Sequence, residues 1–245
     1  MKQDIFEMYK ELNLGNCVTC KECRLANINR PLYEPVSIWT IGENFSNSKD
    51  KILFIGKTAR GGDESIGTFI DNSFYDATEF GTNSLALDGY SSPYYSYTNE
   101  IIKRYFGTFE EGKKNIAFTN LVKCNNGTTK DSTIWTTKIL CLDKMKVVWK
   151  ELEILKPQRI IFYSHTDYDY FIENYFNANA YRFIDITNKA HCISIGNKYS
   201  FWWHRDFYNE NGNKVLSFLR LSHPERLLKE DYVNNVVRWL KQTKS

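Results

Sequence analysis

Lys51-Ile-Leu-Phe-Ile-Gly56, Asn115-Ile-Ala-Phe-Thr-Asn120 and Arg159-Ile-Ile-Phe-Tyr163 are three short, nearly continuous apolar runs. A strand with one wet face alternates apolar and polar residues, whereas a strand buried on both faces has no reason to alternate. Between these runs, Tyr97 to Tyr105 and Thr136 to Leu155 have helical spacing, the second stopped by Lys156-Pro157. Strands alternating with helices predict right-handed βαβ units and a parallel sheet. Downstream, Tyr181 to Leu221 is richer in strand patterns, with a polar turn at Asn209 to Asn213, and Lys229 to Lys241 reads as a closing helix. The expected architecture is a single α/β domain over residues 1–245. Its form is a three-layer α/β/α sandwich around a short, mainly parallel central sheet, with an N-terminal cysteine-bearing segment over about residues 1–30.

Composition agrees with a globular class. Of 245 residues, 42% are hydrophobic and 16% aromatic, with 5 Pro and 13 Gly, enough to bury a real core and too regular for a disordered or collagenous chain. No apolar run approaches the roughly 18 residues of a membrane span. The N-terminal Met1 to Asn16 is a charged amphipathic helix pattern without the apolar core of a signal peptide, so a cytoplasmic location, no membrane partner and a monomer are expected. The net charge of +3 permits a polyanionic partner without requiring one, since nucleic-acid affinity follows from a basic patch rather than from the total.

Six cysteines stand at 17, 20, 23, 124, 141 and 192. In a reducing compartment, clustered cysteines point to a metal or a redox role before a disulfide framework. Cys17-Val-Thr-Cys20-Lys-Glu-Cys23 contains two overlapping CxxC pairs. One pair supplies two thiolates; a metal or cluster needs two more, from among Cys124, Cys141 and Cys192.

In an open parallel sheet the ligand site lies beyond the carboxyl ends of the strands, so the residues after each strand are informative. After the first comes the loop Gly56 to Phe69, and after the second comes Thr119-Asn120-Leu-Val-Lys-Cys124. A later strand, Lys214 to Ser222, delivers His223-Pro224-Glu-Arg-Leu-Leu228. The first loop is neither a Walker A loop nor GxGxxG, which disfavours a nucleotide-phosphate cradle.

The order of these pieces resembles the uracil-DNA glycosylase superfamily, most closely the family 4 type that carries a 4Fe-4S cluster. That family runs CxxCRL, a GExPG…ED…GxPF loop, TNxVKC, a fourth cysteine and HPxxLL. This chain has Cys20-Lys-Glu-Cys23-Arg24-Leu25, the loop with Asp63-Glu64 and Gly67, Thr119 to Cys124, Cys141, and His223 to Leu228. The resemblance covers about residues 17 to 228. It implies a DNA glycosylase that flips uracil or another modified pyrimidine out of DNA and hydrolyses its N-glycosidic bond, within base excision, DNA repair or antiviral defence. It further implies Cys20, Cys23, Cys124 and Cys141 as cluster ligands, and leaves Cys17 and Cys192 over. Phe69 becomes the ring that stacks on the base, with Phe74 as fallback. Asn120 becomes the amide that pairs with the base edge, and His223 the donor to the base oxygen on which charge builds. Arg60 and Arg226 are expected to contact DNA.

Two departures bear on the chemistry. Lys57 stands where the family has the acidic residue of GExPG, and a charged lysine cannot take a proton from water. Asp63 is then the substitute catalytic carboxylate, with Glu64 next, while Lys57 contacts the base or a phosphate. The second departure is an aromatic-rich insertion over about residues 70–96, suited to a bulky modified base of phage DNA. The alternative to an active enzyme is a DNA-binding relative that lost hydrolysis with the change to Lys57. An iron-sulfur redox protein is a third class, which the Asn120 and His223 motifs disfavour.

Overall fold

The computed structural model describes residues 1–29, 32–33, 38–58, 78–79, 93–126, 133–179, 184–224 and 227–243. Along the chain run helices α1 (Lys2–Glu11) and α2 (Val18–Ala26), then strands β1 (Leu32–Tyr33), β2 (Thr40–Ile41) and β3 (Ile52–Gly56). There follow α3 (Pro93–Phe106), α4 (Phe109–Asn115), β4 (Ile116–Asn120) and β5 (Asn125–Asn126). Next come α5 (Trp135–Lys138), a π-helix (Ile139–Met145), α6 (Val147–Leu155), β6 (Arg159–Phe162) and α7 (Asp169–Ala178). The chain ends with β7 (Ile184–Ile195), β8 (Lys198–Tyr208), β9 (Lys214–Arg220) and α8 (Lys229–Gln242).

Among the described residues seven strands form one mixed sheet in the order β2-β4-β3-β6-β9-β8-β7. The fold is α/β. The three apolar runs are its central strands β3, β4 and β6, and every residue of each is buried, which explains why none of them alternates. β3 pairs in parallel with β6 from Ile52↔Arg159 to Ile55↔Phe162, and β6 in parallel with β9 from Arg159↔Ser217 to Phe162↔Arg220. β8 and β7 add antiparallel at one edge. By contacts the chain divides into two compact units: Met1–Thr40, Gly56–Gly81 and Phe118–Lys156 in the first, Ile41–Ile55, Thr82–Ala117 and Pro157–Ser245 in the second.

Within the first unit, the helix predicted over Thr136 to Leu155 is three pieces. The Lys146 N–H bonds back to the Cys141 carbonyl at 3.1 Å, five residues away, and Lys146 takes φ 60°. A π-turn inserts one extra residue and so rotates the side chains that follow, and such turns gather at functional positions. Here it carries Cys141.

Within the second unit, the arginine that opens β6 is buried at 2% exposure. Arg159 pairs with Asp50 at 2.5 Å, donates to the Leu240 carbonyl at 2.9 Å and lies over the Tyr105 ring at 5.3 Å. Gly42 is forced by proximity, because a Cβ there would stand 2.3 Å from the Lys114 carbonyl oxygen and 2.4 Å from that of Lys113. Its N–H donates to Ile116 O at 2.8 Å, so backbone cannot withdraw without losing a bond. Gly42→Ala should therefore lower unfolding free energy by about 1–3 kcal/mol, the usual scale of overpacking, read as a fall in the chemical-denaturation midpoint at unchanged slope.

Candidate functional site

The first unit brings five of the six cysteines to one region. α2 is capped by Cys17, whose sulfur accepts the Cys20 N–H at 3.2 Å. Cys20 and Cys23, three apart on a helix, share a face and are each 4% exposed. Cys124 follows β4 and Cys141 lies in the π-helix, both buried and, like the rest, unbridged. Asn27, just past α2, fixes the arrangement by donating to the Cys23 carbonyl and to Thr137 Oγ1, each at 2.7 Å.

Several of these thiols act on one another. Cys124 interacts with Cys23, Cys20 and Cys141, and Cys141 with Cys23 and Cys20. The Cys124 thiol donates to Cys23, which pulls Cys23 down to about 7 and, with burial, holds Cys124 well above the ordinary thiol value. Burial pushes Cys141 up to about 11 and raises Cys20 further. Cys17 reaches Cys20 and lies 3.5 Å from Met145 Sδ, as does Cys20. Cys192 is in the other unit, on β7, and exposed.

Among the described residues no three Cys, His, Asp or Glu form a group that could hold a metal ion. The donor chemistry nevertheless suits an iron-sulfur cluster, whose thiolates bind different irons and so stand further apart than the ligands of one ion. Four buried sulfurs with no disulfide, Cys20, Cys124 and Cys141 raised as thiols and Cys23 lowered, are a set that a cationic centre would stabilise as thiolates.

Asn120 ends β4 with a bond network beneath it. Lys123, 0% exposed, pairs with Glu151, 1% exposed, at 2.7 Å. The same ammonium donates to the Asn120 carbonyl at 2.6 Å and to Thr119 Oγ1 at 2.7 Å, while Thr119 donates to Glu151 at 2.7 Å and Tyr9 Oη donates to its other oxygen. Burial draws the Lys123 ammonium below its ordinary value, and the Glu151 carboxylate opposes that shift. The loop after β3 is zipped alongside. Leu121 N–H donates to Gly56 O and Val122 N–H to Lys57 O, both at 2.8 Å, and Thr58 Oγ1 donates to Cys124 O at 2.8 Å. Lys57, Asn120 and the four cysteines thus belong to one unit and one connected backbone framework.

The side chain of Asn120 is the anomaly in that framework. The residue is 5% exposed and its side chain makes no hydrogen bond among the described residues, although its amide atoms are not among those sealed from solvent. An amide with its polar atoms still reachable can both donate to and accept from the edge of a ligand or a water.

His223 belongs to the second unit, just beyond β9. Its ring stacks on Tyr94 with centroids 6.2 Å apart and planes 10° apart, and Tyr94 packs edge-on to Tyr163 at 5.0 Å. Tyrosine hydroxyls hold the backbone on either side: Tyr232 donates to Ser222 O at 2.9 Å and Tyr97 to Leu227 O at 2.6 Å. The histidine motif is therefore presented on a loop pinned at both ends. Asp63, Glu64, Phe69, Phe74, Arg60 and Arg226 lie outside the described residues.

Sequence reasoning missed Glu151 and Tyr9. The available signal was a carboxylate on the apolar stripe of Val147, Val148, Glu151, Leu152 and Leu155, where a charge needs a buried partner. The chain has no significant match among protein-family models, curated proteins or solved structures.

Glu151→Ala should cost about 3–5 kcal/mol, since it strands the buried ammonium. The double change Lys123→Met with Glu151→Leu should recover most of that loss, because it removes both charges. Urea titration of the parent and both variants measures the difference.

Proposed function

We propose that this protein is a DNA glycosylase. Its reading is hydrolysis of the N-glycosidic bond of a flipped-out uracil or other modified pyrimidine, a bulky modified base of phage DNA included. The observation that carries the proposal is the Asn120 amide at the carboxyl end of β4, which makes no side-chain hydrogen bond among the described residues while Lys123 holds the residue's carbonyl. One amide can give and take a hydrogen bond with the edge of a pyrimidine, which matches the role the resemblance assigns to it.

Cys20, Cys23, Cys124 and Cys141 would hold the 4Fe-4S cluster, which would supply a structural clamp between α2, the segment after β4 and the π-helix. The chemical steps fall to the chain's own residues. A flipped base is read by Asn120 and stacked by Phe69. As the bond from C1′ to the base nitrogen breaks, the electron pair leaves with the base, and His223 donates to the oxygen that gains charge. Water adds to C1′, oriented by Asp63, which receives its proton. Lys57, Arg60 and Arg226 contact the base or phosphates.

Lys57 also favours a second reading, a DNA-binding relative without hydrolysis, because an ammonium stands where the family has its carboxylate. Excision from oligonucleotides carrying uracil or a bulky cytosine derivative separates the two. Asn120→Ala and His223→Ala should each lower single-turnover excision on the order of 10²–10³-fold at similar DNA affinity. Lys57→Glu should gain on uracil if Asp63 holds the water, and lose on the bulky base if the loop is built for it. Parental rates in both the Asn120 and His223 variants would sink the site assignment.

Serine at any of Cys20, Cys23, Cys124 or Cys141 should deplete iron and the thiolate absorption near 400 nm by analogy with such clusters, whereas Cys192→Ser should leave both intact. Full iron in all four serine variants would remove the cluster.

A further inference from the structure

β7 and β8 form a long antiparallel ribbon, in register from Ile184↔Tyr208 to Ile195↔Lys198 with one irregularity between Asp185 and Thr187. It turns at Gly196, whose φ of 58° suits glycine. Along β8, Tyr199, Phe201, Trp203, Arg205 and Phe207 are spaced two apart and so share one face. The half nearer the sheet is covered: Trp203 meets Phe218 edge-on at 4.8 Å, Phe207 stacks on Phe176 of α7 at 4.8 Å, and Arg205 lies over both Trp203 and Phe207. The outer half is bare, with Tyr199 79% and Phe201 61% exposed.

Two large rings left in water on a paired strand are an uncommon arrangement, and the ribbon's charge says what suits them. No Asp or Glu occurs between Asp185 and Asp206, whereas Lys189, Lys198 and Arg205 do. Two acids beside the ribbon are engaged. Asp231 accepts the Gly196 N–H at 2.9 Å, and Asp169 accepts from Arg220 at 2.6 Å while that same arginine donates to the Phe201 carbonyl at 2.9 Å. The turn is thereby tied to α8 and the Phe201 backbone to α7, so the rings are presented by a braced element that loses little entropy on binding.

We propose that the outer face of the β7–β8 ribbon is a stacking platform for single-stranded DNA, with Tyr199 and Phe201 each taking a base. Rings two residues apart along a strand stand roughly 6.7 Å from one another, room for successive bases of an extended strand. Exposed aromatics on a sheet bind single strands in this way without reading sequence, because every base has a π-face. The choice of DNA rests on the glycosylase reading; the platform itself does not.

The test is fluorescence anisotropy of a labelled oligo-dT with the full-length parent and with Tyr199→Ala, Phe201→Ala and the double variant, alongside circular dichroism. Each single change should weaken binding about 5- to 140-fold, the equivalent of one lost base–aromatic stack. Tyr199→Leu and Phe201→Leu, which keep apolar area but not the ring, should weaken it nearly as much. Because both side chains are mostly in water, the variants should fold as the parent does. Parental affinity in the double variant, or full affinity in the leucine pair, would overturn the platform. So would light scattering that finds a parental dimer abolished by the double change, since a second copy would then cover the face. A parent that excises bases with unchanged ribbon variants leaves the glycosylase reading standing and the platform refuted. A parent that binds oligo-dT through these rings but releases no base from any substrate does the reverse.

Discussion

The ammonium of Lys123 lies wholly inside the protein, and the geometry of the first unit is arranged around it. Removing an ion from water costs several kcal/mol, which Glu151 offsets only with good geometry and further bonds. Those bonds are the structurally useful part. With its charge matched by Glu151, Lys123 spends its other hydrogens on Thr119 and the Asn120 carbonyl, so the turn after β4 is tied at two points. Asn120 is fixed at the strand end and Cys124 enters the cysteine region one residue past the buried lysine. Tyr9 of α1 and Glu151 of α6 complete the network, which makes two helices dependent on the same pair. A lysine and a glutamate 28 positions apart in the chain thus couple Asn120, the proposed base reader, to the proposed cluster ligands.

A second layer of constraint comes from irregular backbone. The π-turn, a departure from regular helix, carries Cys141, whose buried sulfur interacts with Cys23, Cys20 and Cys124. Departures from ideal helix of this kind often accompany function. In the second unit the loop bearing His223 is braced by the hydroxyls of Tyr97 and Tyr232, so the imidazole is carried on a fixed support with Tyr94 at its face.

The central strands were legible because burial on both faces leaves an unbroken apolar run, and the β3, β4 and β6 boundaries differ from the sequence reading by a residue at most. The closing helix was legible from its spacing. The π-turn was not, since Thr136 to Leu155 keeps helical periodicity and a single inserted residue leaves no compositional trace. The turn at Gly196 was hidden among strand-forming neighbours, where only one glycine marks it. CxxC and TNxVKC could be seen as motifs, but the reason the lysine stands between asparagine and cysteine required Glu151, a long-range partner that no local spacing announces. Asp63, Phe69, Arg60 and Arg226 lie outside the described residues, so for them the resemblance is the whole basis.

The most direct measurement is mass-spectrometric analysis of products after incubating iron-loaded protein with DNA containing uracil, hypoxanthine, or hydroxymethylated or glycosylated cytosine. The expected result is a free modified pyrimidine together with an abasic site in the strand it left. Intact DNA from every substrate, under conditions where the same preparation binds that DNA, would contradict a glycosylase.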